Sequence, residues 1–505
     1  MHQAEGPSQR TLKGSVRAGL RTVAVVQLAS QVVSLGTLTI LYRLLSPEDY
    51  GLLGMVMPLL MFLRIFATLG LPISTVQRSR LSHAEISSLF WLGLLLSVGT
   101  TLVTALLAPA VALFYADSRL SGLTLALAGT AIVVALGTQH QALLERDLQV
   151  GRLAWIRLWG QLSGAATAIA AAVAGWGVWA LVVQQYVELG VLAACAWWAK
   201  RWWPGLPRRG TPVWRHLHLG GYFAASSILF FIATNLDKVL IGRMFDVRTL
   251  GLYSQAFNLM MKPVYVVTTP LNGIVLASLS RAAANRKTQT DLMRAYYRLL
   301  AILLFPVGVG LALVGPLVMT VLGGPAWSTA GVLLAILSLA IPAQGFLHLN
   351  VPLLAAAGRT DRLFAASAAM TAVLATAYGI GVVAGGQAGL GGLGVASAYT
   401  VAVVGVIVVP YSVFSFRCAK LDPWAVVPGI RRAAVAAVTM GLVVAALRVA
   451  GPLLPISGPS AQLVMLVSVG CLVYLVTARH EIAWLLSQGW AKPGRLRRES
   501  DNRSE

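Results

Sequence analysis

Acidic residues are scarce in this chain, with 17 Asp and Glu against 39 Lys and Arg in 505 residues. Charged residues of both signs make up only 11%, less than half of the roughly 25% usual in soluble domains. Cysteine is nearly absent: Cys195 and Cys471 lie in apolar stretches and Cys418 in a basic one, so neither a disulfide framework nor a metal-ligand spacing arises. There is no glycine-rich phosphate loop, no pair of carboxylates on an external loop and no His/Cys cluster. No loop is long enough to hold a soluble domain. These absences exclude most enzyme classes, and neither cofactor nor metal is expected.

What the chain has instead is apolar length. Hydrophobic residues reach 57% and mean hydropathy is +0.76. Runs able to cross a bilayer, roughly 20 residues each, fall near 18–42, 50–77, 86–114, 120–143, 155–176, 178–198, 219–242, 252–277, 296–321, 326–355, 363–384, 390–416, 431–448 and 460–478. The glycine-rich stretch 383–395 is the softest join. Backbone in lipid must satisfy its hydrogen bonds within each segment, so the expected fold is an all-α polytopic membrane protein of about fourteen transmembrane helices. The first apolar run is too long for a cleavable signal peptide and follows a basic tail.

A net charge of +22 would suggest nucleic acid as a partner of a soluble protein. Its distribution excludes that. With the N-terminus inside, Arg78 and Arg80, then Arg146 and Arg152, then Lys200 and Arg201, then Arg286 and Lys287 all fall in inside loops, while outside loops are short and nearly uncharged. This is the positive-inside bias, and it predicts a multi-pass membrane protein with both termini cytoplasmic.

The segment 43–59, RLLSPEDYGLLGMVMPL, reads again at 243–259 as RMFDVRTLGLYSQAFNL. Arg43 matches Arg243 and Gly51 matches Gly251 without a gap. Six apolar spans separate the copies, an even number, so the halves enter the membrane with the same orientation and form parallel repeats. The expected organisation is a basic tail (1–17), a six-helix lobe (18–199), a cytoplasmic linker (200–218) and a second six-helix lobe (219–416). Two additional, peripheral spans (417–478) and a basic tail (479–505) follow. Gly51 and Gly251 should permit tight entry into spans two and eight, where a side chain would crowd the preceding turn.

Charges inside spans are costly and usually face a bundle interior or an aqueous cavity. Arg21, Arg64, Lys238 and Lys262 qualify, against Glu188 and Asp237. Lys238 has Asp237 beside it, a structural pairing; Arg64 or Lys262 could pair with Glu188. Uncharged polar residues recur on helical faces: Gln27 and Gln31, then Gln184 with Glu188, then Gln255 and Asn258 with Lys262, then Gln344 and His348. Gln139, His140 and Gln141 fall at a span end, where headgroup contact is expected. A cationic cavity lined by amides suits an anionic ligand, because Lys and Arg bind phosphate oxygens by charge-assisted hydrogen bonds. Gln and Asn suit sugar hydroxyls.

The two copies, RLLSPEDYGLLG and NLDKVLIGRMFDVRTLGLYSQAF at 235–257, resemble signatures of the Wzx-type oligosaccharide flippases of the multidrug/oligosaccharidyl-lipid/polysaccharide exporter superfamily. The branch of colanic-acid exporters is the most similar, over roughly 18–480. The resemblance implies two six-helix bundles working by alternating access on undecaprenyl-pyrophosphate-linked oligosaccharide, moved from the cytoplasmic to the periplasmic leaflet for surface or exopolysaccharide synthesis. It also implies a polysaccharide polymerase and export machinery as partners. Related peptidoglycan-precursor flippases are similar in placing basic cavity residues on the first, second and eighth spans, where Arg21, Arg64 and Lys262 stand here. A cation-coupled exporter of the same superfamily and a polysaccharide polymerase are the competing readings. The first would favour acidic lobes and the second a large external loop.

Overall fold

The repeat seen in the sequence reappears as two helix turns set 200 positions apart. Helix α1 (Pro7–Leu44) ends and α2 (Pro47–Thr68) begins across Leu45 and Ser46. Helix α8 (Gly221–Met244) ends and α9 (Val247–Arg281) begins across Phe245 and Asp246. Each turn is held by a side chain capping the new helix. Asp49 N donates to Ser46 Oγ at 3.2 Å while Ser46 N donates to Asp49 Oδ2 at 2.9 Å. In the second copy Thr249 N donates to Asp246 Oδ1 at 2.7 Å. Both satisfy amide donors that a helix start leaves unpaired.

Between and after these turns run α3 (His83–Tyr115), α4 (Arg119–Ala128) with α5 (Thr130–Arg146), α6 (Val150–Val173) and α7 (Val178–Lys200). Beyond α9 follow α10 (Arg286–Gly323), α11 (Ser328–Ser338) and α12 (Ile341–Ala356), then α13 (Thr360–Gln387) and α14 (Gly392–Val401). A π-helical turn at Ala402–Ile407 leads to α15 (Val408–Cys418), and α16 (Val427–Ala450), α17 (Pro459–Thr477) and α18 (Arg479–Ser487) follow. The computed structural model describes residues 7–68, 72, 75–76, 82–206, 221–450 and 458–487, and among these there is no strand.

Eleven of the described helical stretches are long and apolar enough to cross a membrane, or twelve if α11 and α12, bent by 53° at their junction, form one span. Fourteen were expected. Helices also stand at the two remaining expected positions, α6 and α8.

The chain divides into two compact units, Met1–Ser254 with Leu322–Ala326, and Gln255–Val321 with Trp327–Glu505. In the first, α6 meets α7 through Gly160 and Gly164, whose absent side chains would lie 2.9 Å from the Glu188 carbonyl oxygen and 3.0 Å from that of Gln184. Small residues one turn apart let helix backbones approach closely in a membrane. In the second, α13 meets α14 in the same way: a Cβ on Gly385 would stand 2.5 Å from the Gly391 carbonyl oxygen, and one on Gly381 2.9 Å from that of Gly394.

The turns that join these two pairs are alike. Ala174-Gly175-Trp176-Gly177 and Ala388-Gly389-Leu390-Gly391 place their first glycines at φ +79° and +67° and their second at +54° and +50°. Such backbone favours glycine. The join at 383–395 is thus resolved: α13 runs to Gln387 and the turn is tight.

The two C-terminal spans share a core with α10, in which Val314, Ala437, Met440 and Leu466 are buried and Val309 and Leu313 pack against them. Tyr474 on α17 donates to the Ile302 carbonyl oxygen of α10 at 2.8 Å. Their remaining faces expose Val435, Leu442, Val464 and Leu472, as lipid-facing helices do.

Candidate functional site

Arg64 lies near the end of α2, six residues after Pro58, half-buried, and it lines two adjoining clefts of the first unit. The smaller is bounded by Leu89, Phe90 and Ser97 of α3 and by Thr138 and Gln139 of α5. The larger, of about 270 Å³, places Arg64 with Thr138, Gln141 and Glu145 of α5 and Leu189 and Leu192 of α7. One wall thus carries a guanidinium, a hydroxyl and an amide, beside a carboxylate that also receives Arg157 Nη2 at 3.1 Å. A cation held in such a setting attracts an anion far more strongly than it would in bulk water.

The glutamine and glutamate stripe lies on α7. Gln184 and Glu188 are half-buried and present backbone to Gly164 and Gly160 of α6. On α1, Gln27 is exposed and Gln31 half-buried. Between them Ser30 donates from Oγ to Gln161 Oε1 at 2.5 Å, and Gln161 Nε2 donates to the Ser30 carbonyl oxygen at 3.0 Å, tying α1 to α6. The Arg21 side chain lies outside the described residues, as do the first six residues, much of the linker and the end of the C-terminal tail.

In the second unit Lys262 is half-buried on α9, with Gln255 buried and Asn258 exposed on the same helix. One turn beyond Lys262, the Tyr265 ring meets His348 edge-on at 5.8 Å. His348 Nδ1 donates to the Gln344 carbonyl oxygen at 2.8 Å, and the Gln344 amide donates to the Tyr399 hydroxyl. Tyr399 in turn packs on Phe257 of α9 at 5.4 Å. Gln344, His348 and the Lys262 helix therefore belong to one polar and aromatic assembly across α9, α12 and α14. A neighbouring buried network, Tyr297 Oη donating to Asn350 Oδ1 at 2.8 Å and Asn350 Nδ2 donating to Ser412 Oγ at 3.1 Å, closes on itself.

Asp237 and Lys238, adjacent on α8, each engage further groups. Asp237 is fully buried and accepts from Tyr253 Oη at 2.9 Å, which ties α8 to α9. Lys238 donates to the Thr234 carbonyl oxygen at 3.1 Å and to Asn235 Oδ1 at 3.2 Å along its own helix. Arg43 donates to the Leu322 carbonyl oxygen at 3.3 Å, whereas its counterpart Arg243 lies 5.9 Å over the Phe114 ring. The matched arginines are used differently.

Headgroup contact was expected for Gln139, His140 and Gln141, and the structure corrects it for the first two. Gln139 and His140 are buried, Gln139 Nε2 donating to Thr75 Oγ1 at 2.9 Å and His140 stacking on Trp197 at 4.1 Å. The α5 end turns inward because its neighbours α3 and α7 cover it with Phe90 and Trp197. Sequence reading also passed over Thr138 and Glu145 beside Arg64. Thr138, Gln141 and Glu145 recur at three- and four-residue spacing, the signal that could have placed them on one face.

Among the described residues no group of His, Cys, Asp and Glu could hold a metal ion. The fold is that of the MurJ and MATE transporters. It superposes with a TM-score of 0.71 on a lipid II flippase MurJ in an inward closed conformation, at 14% identity, covering 92% of this chain and 99% of that one. With an inward-facing multidrug resistance MATE family transporter of the MOP superfamily the TM-score is 0.60, at 14% identity over 82% of this chain and 98% of that one.

The chain belongs to the family described as polysaccharide biosynthesis protein, matched over residues 40–332. It is 25% identical over 331 residues to the lipopolysaccharide biosynthesis protein WzxC of Escherichia coli K12, covering 64% of this chain and 65% of that protein. Over 311 residues it is 26% identical to the teichuronic acid biosynthesis protein TuaB of Bacillus subtilis, covering 60% and 63%. The succinoglycan biosynthesis transport protein ExoT of Rhizobium meliloti matches at 26% over 310 residues, 60% and 61%. The chain thus spans a little under two thirds of the length of these three relatives.

Proposed function

We propose that this protein is a flippase of the bacterial inner membrane. It would move undecaprenyl-pyrophosphate-linked oligosaccharide units from the cytoplasmic to the periplasmic leaflet by alternating access, for surface or exopolysaccharide synthesis. The observation that carries the reading is Arg64, a cation within the bundle that opens on a cleft bearing Thr138 and Gln141. Pyrophosphate needs the charge, and sugar hydroxyls need the amide and hydroxyl groups. Family membership and the transporter fold support the same reading.

Fourteen crossings, six to each lobe (18–199 and 219–416) with two added, follow from the apolar runs, and cytoplasmic termini from the charge alternation. Arg64, Lys262 and Arg21 serve as headgroup ligands, with Gln27, Gln31, Gln184, Glu188, Gln255, Asn258, Gln344 and His348 as the polar lining. The cell interior is negative, so an outgoing anion descends the electrical gradient by about 2.3 kcal/mol per charge per 100 mV. What needs lowering is the barrier to carrying charge through a low-dielectric region, and half-buried cations do that. A polymerase and the export machinery would receive the product.

The test is reconstitution into proteoliposomes with a fluorescent polyprenyl-pyrophosphate glycan. The reading expects the inner-leaflet pool to become accessible to a membrane-impermeant quencher far faster than in protein-free vesicles. No acceleration with any lipid-linked pyrophosphate glycan overturns it.

A further inference from the structure

Beyond Lys200 the chain does not leave the first unit. Arg201 takes a left-handed backbone, φ +46°, as it caps α7, and residues 202–206 fold back across the ends of α3 and α5. His140 Nε2 lies 2.9 Å from the Trp202 carbonyl oxygen and His83 Nε2 lies 3.1 Å from that of Trp203. Trp91 Nε1 donates to the Gly205 carbonyl oxygen and Gly205 N donates to Ser87 Oγ, each at 2.9 Å. The Trp202 ring sits among His83, Phe90 and His140 at centroid distances of 5.7, 6.1 and 5.3 Å. Each of these Nε2 atoms faces a carbonyl oxygen and donates to it.

Its other face is bare. Trp203 is 74% exposed and Leu206 85%, and the flanking Trp198, in the last turn of α7, is 70% exposed. At the same end of the neighbouring α6, Trp155 and Trp159 are 46% and 57% exposed. Arg152, Arg157 and Arg201 stand exposed among them. Indoles gather where a membrane meets water, because the ring is apolar and its N–H is polar. Basic residues at that level meet anionic headgroups. A soluble partner would be met by a patch outside the bilayer, yet these indoles lie at the exit of a membrane-crossing helix marked by Lys200.

We propose that residues 201–206 form an interfacial strap whose occupied face is the anionic headgroup region of the leaflet bordering Lys200. Trp203 and Leu206 enter the lipid while His83 and His140 hold the backbone to the bundle. The strap fixes the start of the connection between the lobes to both protein and membrane. It concerns the leaflet and not the substrate, so its failure leaves the flippase reading standing.

The test uses the full chain with Cys195, Cys418 and Cys471 replaced by serine, carrying Trp203→Cys or Leu206→Cys with a nitroxide label. Lys287→Cys serves as an aqueous control. In nanodiscs of phosphatidylcholine with phosphatidylglycerol, both strap labels should collide more with oxygen than with a water-soluble nickel chelate, and the control should show the reverse. Omitting phosphatidylglycerol should make the strap labels shallower. Chelate access equal to the control overturns the proposal, leaving water or a soluble partner at this face. Dipolar broadening between labels overturns it in favour of a second copy of the chain. Depth indifferent to phosphatidylglycerol overturns the anionic part. Because two positions are labelled separately, one misfolded variant leaves the other to decide.

Discussion

Gly51 and Gly251 each sit where a side chain would run into the other's helix. A Cβ on Gly51 would lie 1.9 Å from the carbonyl oxygen of Val247, four residues before Gly251. A Cβ on Gly251 would lie 1.8 Å from that of Pro47, four residues before Gly51. Crowding was expected from each glycine's own preceding turn, and the structure shows that it comes from the opposite copy. The first turns of α2 and α9 lie backbone to backbone, related by the repeat.

Neither carbonyl can move without unmaking a helix start. We therefore expect Gly51→Val and Gly251→Val to lower the amount of folded protein in the membrane, with alanine doing so less, by the 1–3 kcal/mol or more that overpacking costs. Sugar selectivity should be unchanged. Membrane quantification beside an export assay checks this. Normal abundance with export lost would make the contact a moving element of the cycle instead of fixed packing.

A second prediction concerns the C-terminal helix. Glu481 on α18 is 5% exposed in its side chain and accepts from Arg298 Nε of α10, with Arg432 Nη1 of α16 at 3.7 Å. The Arg298 guanidinium lies 4.0 Å over the Trp484 ring. Removing one partner of a buried pair leaves the other charge uncompensated, at about 3–5 kcal/mol. Glu481→Ala should markedly lower the thermal unfolding temperature and open Arg479 to trypsin, with Glu481→Gln intermediate. Unchanged stability and protection would mean that α18 is held by its apolar contacts.

The loop between α3 and α4 gives a pH prediction. Hydrogen bonding from the Arg119 guanidinium, 2.7 Å away, holds the Asp117 carboxyl below the usual carboxylate range. A lowered folded-state value means that the pair stabilises above the ordinary aspartate range, and that this is lost as pH falls through the lowered value. Arg119 is largely exposed, so solvent screening limits the contribution to about 0.2–1 kcal/mol. Asp117→Asn should be slightly less stable than the parent at pH 7, with the difference closing as pH falls below the ordinary aspartate range. A difference that persists there would show that the charge is not its source.

Much of this was legible in the chain. Positions 44 and 47 pair with 244 and 247 because the matched segments needed no gap, so the helix ends could be read by offset. The turns AGWG and AGLG were equally plain but lie 214 apart, not 200, and a fixed offset hides them. What could not be read is docking. Nothing local says that His140 is covered by Trp197 and Trp202, since those residues arrive from 57 and 62 positions further on. Arg64 was legible as an intramembrane cation, but its neighbours Thr138, Gln141 and Glu145 belong to another helix. The turns and caps are local chemistry; the cleft is tertiary.

The central claim is that the half-buried cations Arg64 and Lys262 carry the headgroup. The most direct measurement is complementation of a flippase-deficient strain by Arg64→Ala, Lys262→Ala and Arg64→Lys, each quantified in the membrane. Lys238→Ala, whose ammonium is already engaged by Thr234 and Asn235, is the internal control. The account predicts that both alanine variants abolish export at unchanged protein level, that Arg64→Lys retains part of it, and that Lys238→Ala matters less. Normal export by Arg64→Ala and Lys262→Ala together would contradict the cationic mechanism and make those charges structural.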